Sequence, residues 1–342
     1  MIKKDQVEKI MDALSLKCWG IIYMDQTYVK TMRQLSYFSC ENSILEAADV
    51  CDLTVIAISV PYDMVGFAKP QNGMMGKIDA FAWTFDYHVV LKALLYKIKE
   101  QFHGIEPISD ENVMYCVDNS PFNDREVGFY AGLGQVGYNH LLINEKLGTH
   151  HFIGYLVIKQ SFAFDEDVLS KIENLPKTIE HPTCQACGKC VKACPVSVCG
   201  ISNAPQHSMN RCLSALTQTK EFIDSTLFSS FGERLYGCNT CQIVCPINKA
   251  VNVQPIIKLT EPNWIDVFEV LDWTKQSFKI KYGAMGFAWR SLWIYKRNAL
   301  IVIGNSKNKE ALSRLSDYSA LLEDEKLSHY YKWSMEQLEH YK

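Results

Sequence analysis

Apolar residues recur along this chain with two different periods, and the alternation between them sets out its organisation. Residues 4–16 carry apolar positions at helical spacing, and Trp19–Tyr23 follows as a short apolar strand. Leu53–Val60 (LTVIAISV) is a β-branched run closed by Pro61-Tyr62, which predicts a buried strand. Residues 70–77, with Gly73 and Gly76, read as a loop. Helical spacing returns from Phe85 to about Gln101. Val113–Val117 predicts a further strand, running into the turn formers Asp118, Asn119, Ser120 and Pro121. Asp124 is placed to cap a helix through about Ala131, stopped by AGLGQVG. Residues 140–158 (HLLINEKLGTHHFIGYLVI) alternate on two arms around Leu147-Gly148 and predict a hairpin. Residues 161–180 read as a linker, with Pro176 and Pro182 as breakers. Beyond Pro246 the pattern is helical, with one amphipathic helix over 288–304 ending at Gly304-Asn305 and two more over 308–323 and 325–340. These short helix pairs suggest a HEAT-like segment. The whole predicts an α+β protein with three consecutive parts, at 1–170, 171–252 and 253–342.

Composition narrows what such a chain does. Its 342 residues allow two or three domains, and no apolar run approaches the roughly 18 residues of a membrane span. The N-terminal segment is a mixed amphipathic helix rather than a signal peptide. Thirteen cysteines without a secretory signal predict metal ligands and free thiols in a reducing, cytoplasmic setting. The net charge of −3 does not advertise nucleic-acid binding, but residues 275–314 hold nine Lys or Arg against a single acid, Glu310. Phe278, Tyr282, Trp289, Trp293 and Tyr295 interleave with those charges, as in surfaces that neutralise phosphates and stack unpaired bases. Lys296 and Arg297 are the first candidates for contacting RNA.

Nine cysteines lie between residues 184 and 245, and eight of them form a pattern. CQACGKCVKACP places Cys184, Cys187, Cys190 and Cys194 before Pro195; CNTCQIVCP places Cys238, Cys241 and Cys245 before Pro246; Cys212 lies alone between them. In two-cluster ferredoxin modules, the cysteine that precedes proline ligates the other cluster. Carried over, that topology gives Cys184, Cys187, Cys190 and Cys245 to one [4Fe–4S] cluster. It gives Cys194, Cys238 and Cys241 to a second, with Cys212 as the natural fourth ligand. Zinc also binds CxxC pairs, but its sites rarely show the CxxCxxCxxxCP run and need no exchanged ligand. The remaining Cys18, Cys40, Cys51, Cys116 and Cys199 read as buried or incidental thiols.

Several stretches together resemble the epoxyqueuosine reductase family: Asp86-Tyr87-His88 at a helix start, VDNSPFNDREVGFYAGLGQVGYN, NRCLSALTQTK, ERLYGCNTCQIVCPIN and KRNALIVIGN. The likeness covers roughly residues 50–310. It implies an N-terminal cobalamin-binding α/β sheet domain, a ferredoxin-like double [4Fe–4S] module and a tRNA-contacting helical segment. The implied reaction converts the epoxide of epoxyqueuosine, at the wobble position of a tRNA anticodon, to the alkene of queuosine. Electrons pass from an external flavodoxin- or ferredoxin-type donor through the clusters to base-off cobalamin. Asp118 matches the family's proton donor, and a carboxyl beside an apolar corrin favours the neutral form a general acid needs. The cofactor pocket implied is lined by Asp86, Tyr87, His88, Asp118, Leu142 and Ile153. Base-off binding in this family uses no histidine, so His140, His150 and His151 read as packing or surface residues. AGLGQVG reads as a tight turn rather than a dinucleotide fingerprint, because it follows a helix and leads to a hairpin. The expected protein is a monomer without membrane association.

Two departures stand against the family pattern. Tyr138 occupies a position where members usually have lysine, and residues 37–51 lack their usual arginine–proline segment. A related reductase acting on another small electrophile, an epoxide or an organohalide, is therefore the second enzymatic alternative. A ferredoxin-type electron carrier is the third.

Overall fold

The computed structural model describes the chain apart from Met1 and residues 25–52, 64–66, 119, 121, 161, 165–173, 177, 201–208, 260 and 341–342. Cys40, Cys51, the whole of residues 37–51 and much of the expected linker lie outside the described residues. The strands in chain order are β1 (Trp19–Met24), β2 (Leu53–Pro61), β3 (Met75–Ile78), β4 (Val113–Cys116), β5 (Gln135–Val136), β6 (Leu142–Ile143), β7 (His151–Ile158), β8 (Arg234–Tyr236) and β9 (Trp264–Asp266). The chain divides into two compact units, each assembled from three separate stretches. Boundaries at 170 and 252 do not coincide with these units.

The first unit comprises Met1–Tyr62, Tyr87–Lys189 and Cys245–Ile257. Its sheet has the order β1-β2-β7-β4, antiparallel throughout. The expected hairpin over 140–158 is corrected here. Its second arm, β7, lies between β2 and β4, while its first arm, β6, pairs with β5. The turn itself survives as an Asn144–Gly148 bridge. β2 is buried along almost its whole length, so its apolar run covers both faces of the sheet. On one face Val55, Ala57, Tyr155 and Val157 pack with Val127 and Phe129 of α3 (Asp124–Tyr130). On the other, Gly154 lets helix α2 (Tyr87–His103) approach closely: a Cβ there would stand 3.0 Å from Leu91 Cδ2. Asn123 caps α3, its Oδ1 accepting from the amides of Arg125 and Glu126, so the cap falls one residue before Asp124. The glycine-rich segment is a tight turn. Gly134, at φ +157°, lies against the Ile143 backbone, where a Cβ would come within 2.1 Å of the carbonyl oxygen.

The second unit comprises Asp63–Asp86, Cys190–Val244 and Lys258–Lys342. Its small sheet runs β8-β3-β9, with β3 parallel to β8 and antiparallel to β9. Thus part of the segment read as a loop is a strand, and the post-246 region is not wholly helical. Helices at Leu292–Asn305 and Ser328–His340 pack as a pair, with Ser334 Oγ donating to Leu300 O at 2.6 Å. Between helix and sheet lies an aromatic core that includes Trp83, Tyr236, Phe268, Phe287 and Tyr295. Among the described residues, no helix is long and apolar enough to cross a membrane.

Candidate active site and cluster ligands

Asp118 follows β4 with φ +54°, a left-handed conformation uncommon outside glycine that Asp tolerates better than most residues. Such backbone outliers concentrate at functional sites. Its side chain is 50% exposed. The phenol of Tyr87, at the start of α2, donates to its Oδ2, and His88 Nε2 stands 3.6 Å from the same oxygen. The Tyr87 ring is fixed from below by Phe152 of β7, stacked at 3.9 Å between centroids and 3° between planes. It also stacks on His88 at 4.3 Å. Tyr62 closes the aromatic row on Phe152 at 4.6 Å. An acid, a phenol and an imidazole thus meet on one partly exposed surface.

Behind this acid lies a second one that the sequence pattern showed only as a helix cap. Asp124 accepts from the Tyr155 hydroxyl at 2.6 Å, and Tyr155 is 2.5 Å from Ser120 Oγ. Burial pushes the Asp124 carboxyl up to about 6, and the negative charge of Asp118 adds to the effect. The Ser120–Tyr155–Asp124 network ties the Asp118 turn to the floor of the sheet.

Other expected pocket residues divide. Ile153 is half-buried, packed against the core of the first unit. Leu142 is a core residue, 3% exposed, so its side chain is not available to line a cofactor pocket. Its carbonyl instead meets His151 Nε2 at 3.1 Å. Asp86 belongs to the second unit, where its amide donates to Ala284 O at 3.0 Å. His150 and His151 are buried, and desolvation pushes both imidazoles down to about 4. Both are packing residues. Tyr138 has Glu180 and Cys184 as its charged neighbours, and burial raises its phenol.

None of the eight predicted cluster cysteines forms a disulfide, and all are partly buried. Cys184 and Cys187 share the helix Thr183–Cys187 in the first unit, to which Cys245 also belongs. Cys190 lies within the helix Lys189–Ala193 and Cys194 directly follows it; Cys190, Cys194, Cys212, Cys238 and Cys241 all fall in the second unit. The Cys194 sulfur is ringed by donors: the Cys199 thiol, then the amides of Val198, Val196 and Cys199, with Val198 N at 3.4 Å. Together they hold it down at about 5. Cys212 lies close enough to Cys238 and Cys241 for their charges to act on it; burial raises its thiol, while the amides of Ser214 and Ala215 lower it. Soft thiolates offered in this number suit iron–sulfur clusters. Cys199, read from the sequence as incidental, lies among them.

The basic stretch turns out differently from its sequence pattern. Arg297 is fully buried at 0% exposure, and its guanidinium donates to the carbonyls of Leu216 (2.9 Å) and Thr219 (2.8 Å) and to Asn298 Oδ1. Arg297 therefore ties loops of the second unit to the helix and is not available to a phosphate. Asn298 does similar work on Thr217 O and Leu235 O. Lys296 is half-buried and faces Asp272 and Asp324. Phe278, Tyr282 and Tyr295 are core residues; Trp289, 61% exposed with the Arg290 guanidinium 3.5 Å over its ring, is the aromatic left on the surface. Lys275 and Lys279 are exposed nearby in sequence.

Comparison with known proteins places this geometry. Residues 183–248 match the family described as 4Fe-4S double cluster binding domain. An epoxyqueuosine reductase of Lactococcus garvieae is 30% identical over 295 residues, covering 84% of this chain and 78% of that protein. The structure of epoxyqueuosine reductase from Streptococcus thermophilus superposes with a TM-score of 0.76 at 24% identity, over 98% of this chain and 90% of that one. An epoxyqueuosine reductase crystallised with a tRNA-Tyr epoxyqueuosine-modified stem loop gives 0.73 at 22% identity, over 98% of both chains.

Proposed function

Because the chain belongs to the epoxyqueuosine reductase family, we propose that it reduces the epoxide of epoxyqueuosine in tRNA to the alkene of queuosine, with Asp118 as proton donor. The observation that carries the proposal is the convergence of Tyr87 and His88 on the Asp118 carboxyl. Two electrons and two protons convert the epoxide to the alkene with its oxygen lost as water, and the alkoxide left as the first C–O bond breaks needs one of those protons. Asp118 supplies it, Tyr87 fixes the direction of the carboxyl, and His88 lies within reach of the same oxygen.

The residues fit a corrin in kind: the Tyr87–Phe152 stack offers an apolar face beside the Asp118 carboxyl. Cobalamin held there would supply the two reducing electrons, fed by the two clusters from an external flavodoxin- or ferredoxin-type donor. Tyr87, His88 and Asp118 would hold or face it, whereas Ile153 lies on the other face of β7 from Phe152, toward α3. The two ligand sets are Cys184, Cys187, Cys190 and Cys245, and Cys194, Cys212, Cys238 and Cys241.

For the tRNA, the helical, HEAT-like C-terminal segment offers Trp289 and Arg290 for stacking and Lys275, Lys279 and Lys296 for phosphates. Asp118→Ala tests the assignment. It should retain iron and bind cobalamin while losing turnover; normal turnover would remove Asp118 from the chemistry.

A further inference from the structure

Cys212 stands outside both cysteine runs, so spacing along the chain does not bring it to Cys238 and Cys241. It heads the four-residue helix Leu213–Leu216, its carbonyl accepting from Leu216 N at 2.8 Å. A helix of that length is not stable by itself, and the carbonyls at its end have no partners within it. Arg297 and Asn298, adjacent and fully buried on the helix Leu292–Asn305, supply them. Arg297 donates to Leu216 O at 2.9 Å and to Thr219 O at 2.8 Å, and Asn298 Nδ2 donates to Thr217 O at 2.8 Å. The same nitrogen donates its other hydrogen to Leu235 O at 2.7 Å, in the strand β8 that leads to Cys238. Asn298 Oδ1 accepts from Arg297 Nε at 3.0 Å, so every polar atom of that side chain is used. Two direct bonds run alongside: the Gly237 amide donates to Thr217 Oγ1 at 2.9 Å, and the Tyr236 hydroxyl donates to Gln218 Oε1 at 2.8 Å. One side-chain amide thus ties the stretch that follows Cys212 to the strand that precedes Cys238.

We infer that Asn298, held by Arg297, is a positioning residue for the second cluster, fixing Cys212 where it completes the set of Cys194, Cys238 and Cys241. All six residues belong to the second unit. A buried polar network with every member paired is rigid, which is what a ligand supplied from outside the runs requires. The first cluster needs no such clasp for Cys184, Cys187 and Cys190, which one run already holds together. Partners that orient metal ligands from behind are typically worth about 10–100-fold in metal affinity. The Lys296-Arg297-Asn298 segment, whose charge pattern suggests an RNA contact, thereby gains a role inside the fold.

This rests on the double-cluster assignment and not on the identity of the substrate. The full chain and its variants Asn298→Ala, Thr217→Val, Thr217→Ser and Cys212→Ala are each reconstituted anaerobically with iron and sulfide. Iron is counted, the reduced clusters are recorded by electron paramagnetic resonance, and iron release to excess bipyridyl is followed. Cys212→Ala identifies the second cluster by the signal it alters. Asn298→Ala should release that cluster's half of the iron about ten- to a hundredfold faster than the parent, with the other half unchanged. Thr217→Val keeps the shape but loses the acceptor for Gly237, and should act on the same half. Thr217→Ser restores the hydroxyl and should behave as the parent. Equal acceleration of both halves would reduce Asn298 to a packing residue, and unchanged release would remove it from the cluster; each overturns the inference. Should Asn298→Ala not fold, the two Thr217 variants decide by the same readout. A parent chain that takes up no iron, or a Cys212→Ala chain with parental signals, would instead overturn the ligand assignment beneath it.

Discussion

The Tyr87 hydroxyl donates its hydrogen bond to the carboxylate of Asp118 from a ring stacked flat on Phe152. The phenol has no freedom to follow a wandering acid, so the acid is held where the phenol is. Tyr87→Phe keeps the stack and deletes only the O–H. A hydrogen bond to a charged group is worth roughly 1.5–3 kcal/mol, so turnover should fall about ten- to a hundredfold. Iron content should not change. An undiminished rate would show that the phenol does not position the acid.

Asp118→Asn keeps the shape of the side chain and its capacity to accept from Tyr87, but has no proton to give. General acid catalysis contributes roughly 10²–10⁴-fold. Single-turnover rates should drop by that order, while tRNA stem-loop affinity, followed by gel shift, stays within a factor of a few.

Asp124 should make itself felt through pH. Its folded-state carboxyl is raised to about 6 from an ordinary value near 3.8, so the folded protein binds its proton more tightly than the unfolded chain. The stability this gives is complete below about pH 4 and is lost as pH rises through about 6. Asp124→Asn removes that loss while keeping an acceptor for Tyr155. Its unfolding midpoint in denaturant should therefore match the parent near pH 4 and exceed it at pH 7, by an amount on the order of 2 kcal/mol. A gap that does not widen with pH would contradict the burial of this carboxyl.

Arg297 and Trp289 should separate cleanly. Arg297→Ala strips the donors from the buried carbonyls of Leu216 and Thr219, at a cost of about 1–3 kcal/mol for each group left unpaired. It should lower the melting temperature by several degrees. Trp289→Ala removes an exposed ring and one hydrogen bond, from its indole N–H to the Tyr236 hydroxyl at 2.8 Å, so melting should fall less than in Arg297→Ala while stem-loop binding weakens about five- to a hundredfold, the range for one stacked base. Equal stem-loop affinity for parent and Trp289→Ala would move the RNA contact elsewhere.

What the sequence made legible follows from how local each signal is. β2 and α2 stood out because a β-branched run and a helical apolar stripe are properties of contiguous residues. The pairing of β7 was not legible, because its partners are β2 and β4, far away in the chain, and alternation says nothing about which strand lies alongside. β3 and β9 are too short, at 4 and 3 residues, to establish a period. The cysteine spacing pointed to a double-cluster module, as the family match over residues 183–248 bears out, whereas Cys199 falls outside the repeat. Charge and aromatic content in residues 275–314 were read as a surface. Burial turned most of those aromatics, and Arg297, into core and left Trp289 outside.

The central claim, that this chain reduces epoxyqueuosine in tRNA, has one direct measurement. The full chain is reconstituted with iron, sulfide and cobalamin, given a chemical reductant, and incubated with an anticodon stem-loop carrying epoxyqueuosine; the nucleosides are then separated and weighed. Conversion to queuosine that requires cobalamin and is abolished in Asp118→Asn is the predicted result. A preparation with full clusters and bound cobalamin that leaves epoxyqueuosine intact would contradict the account.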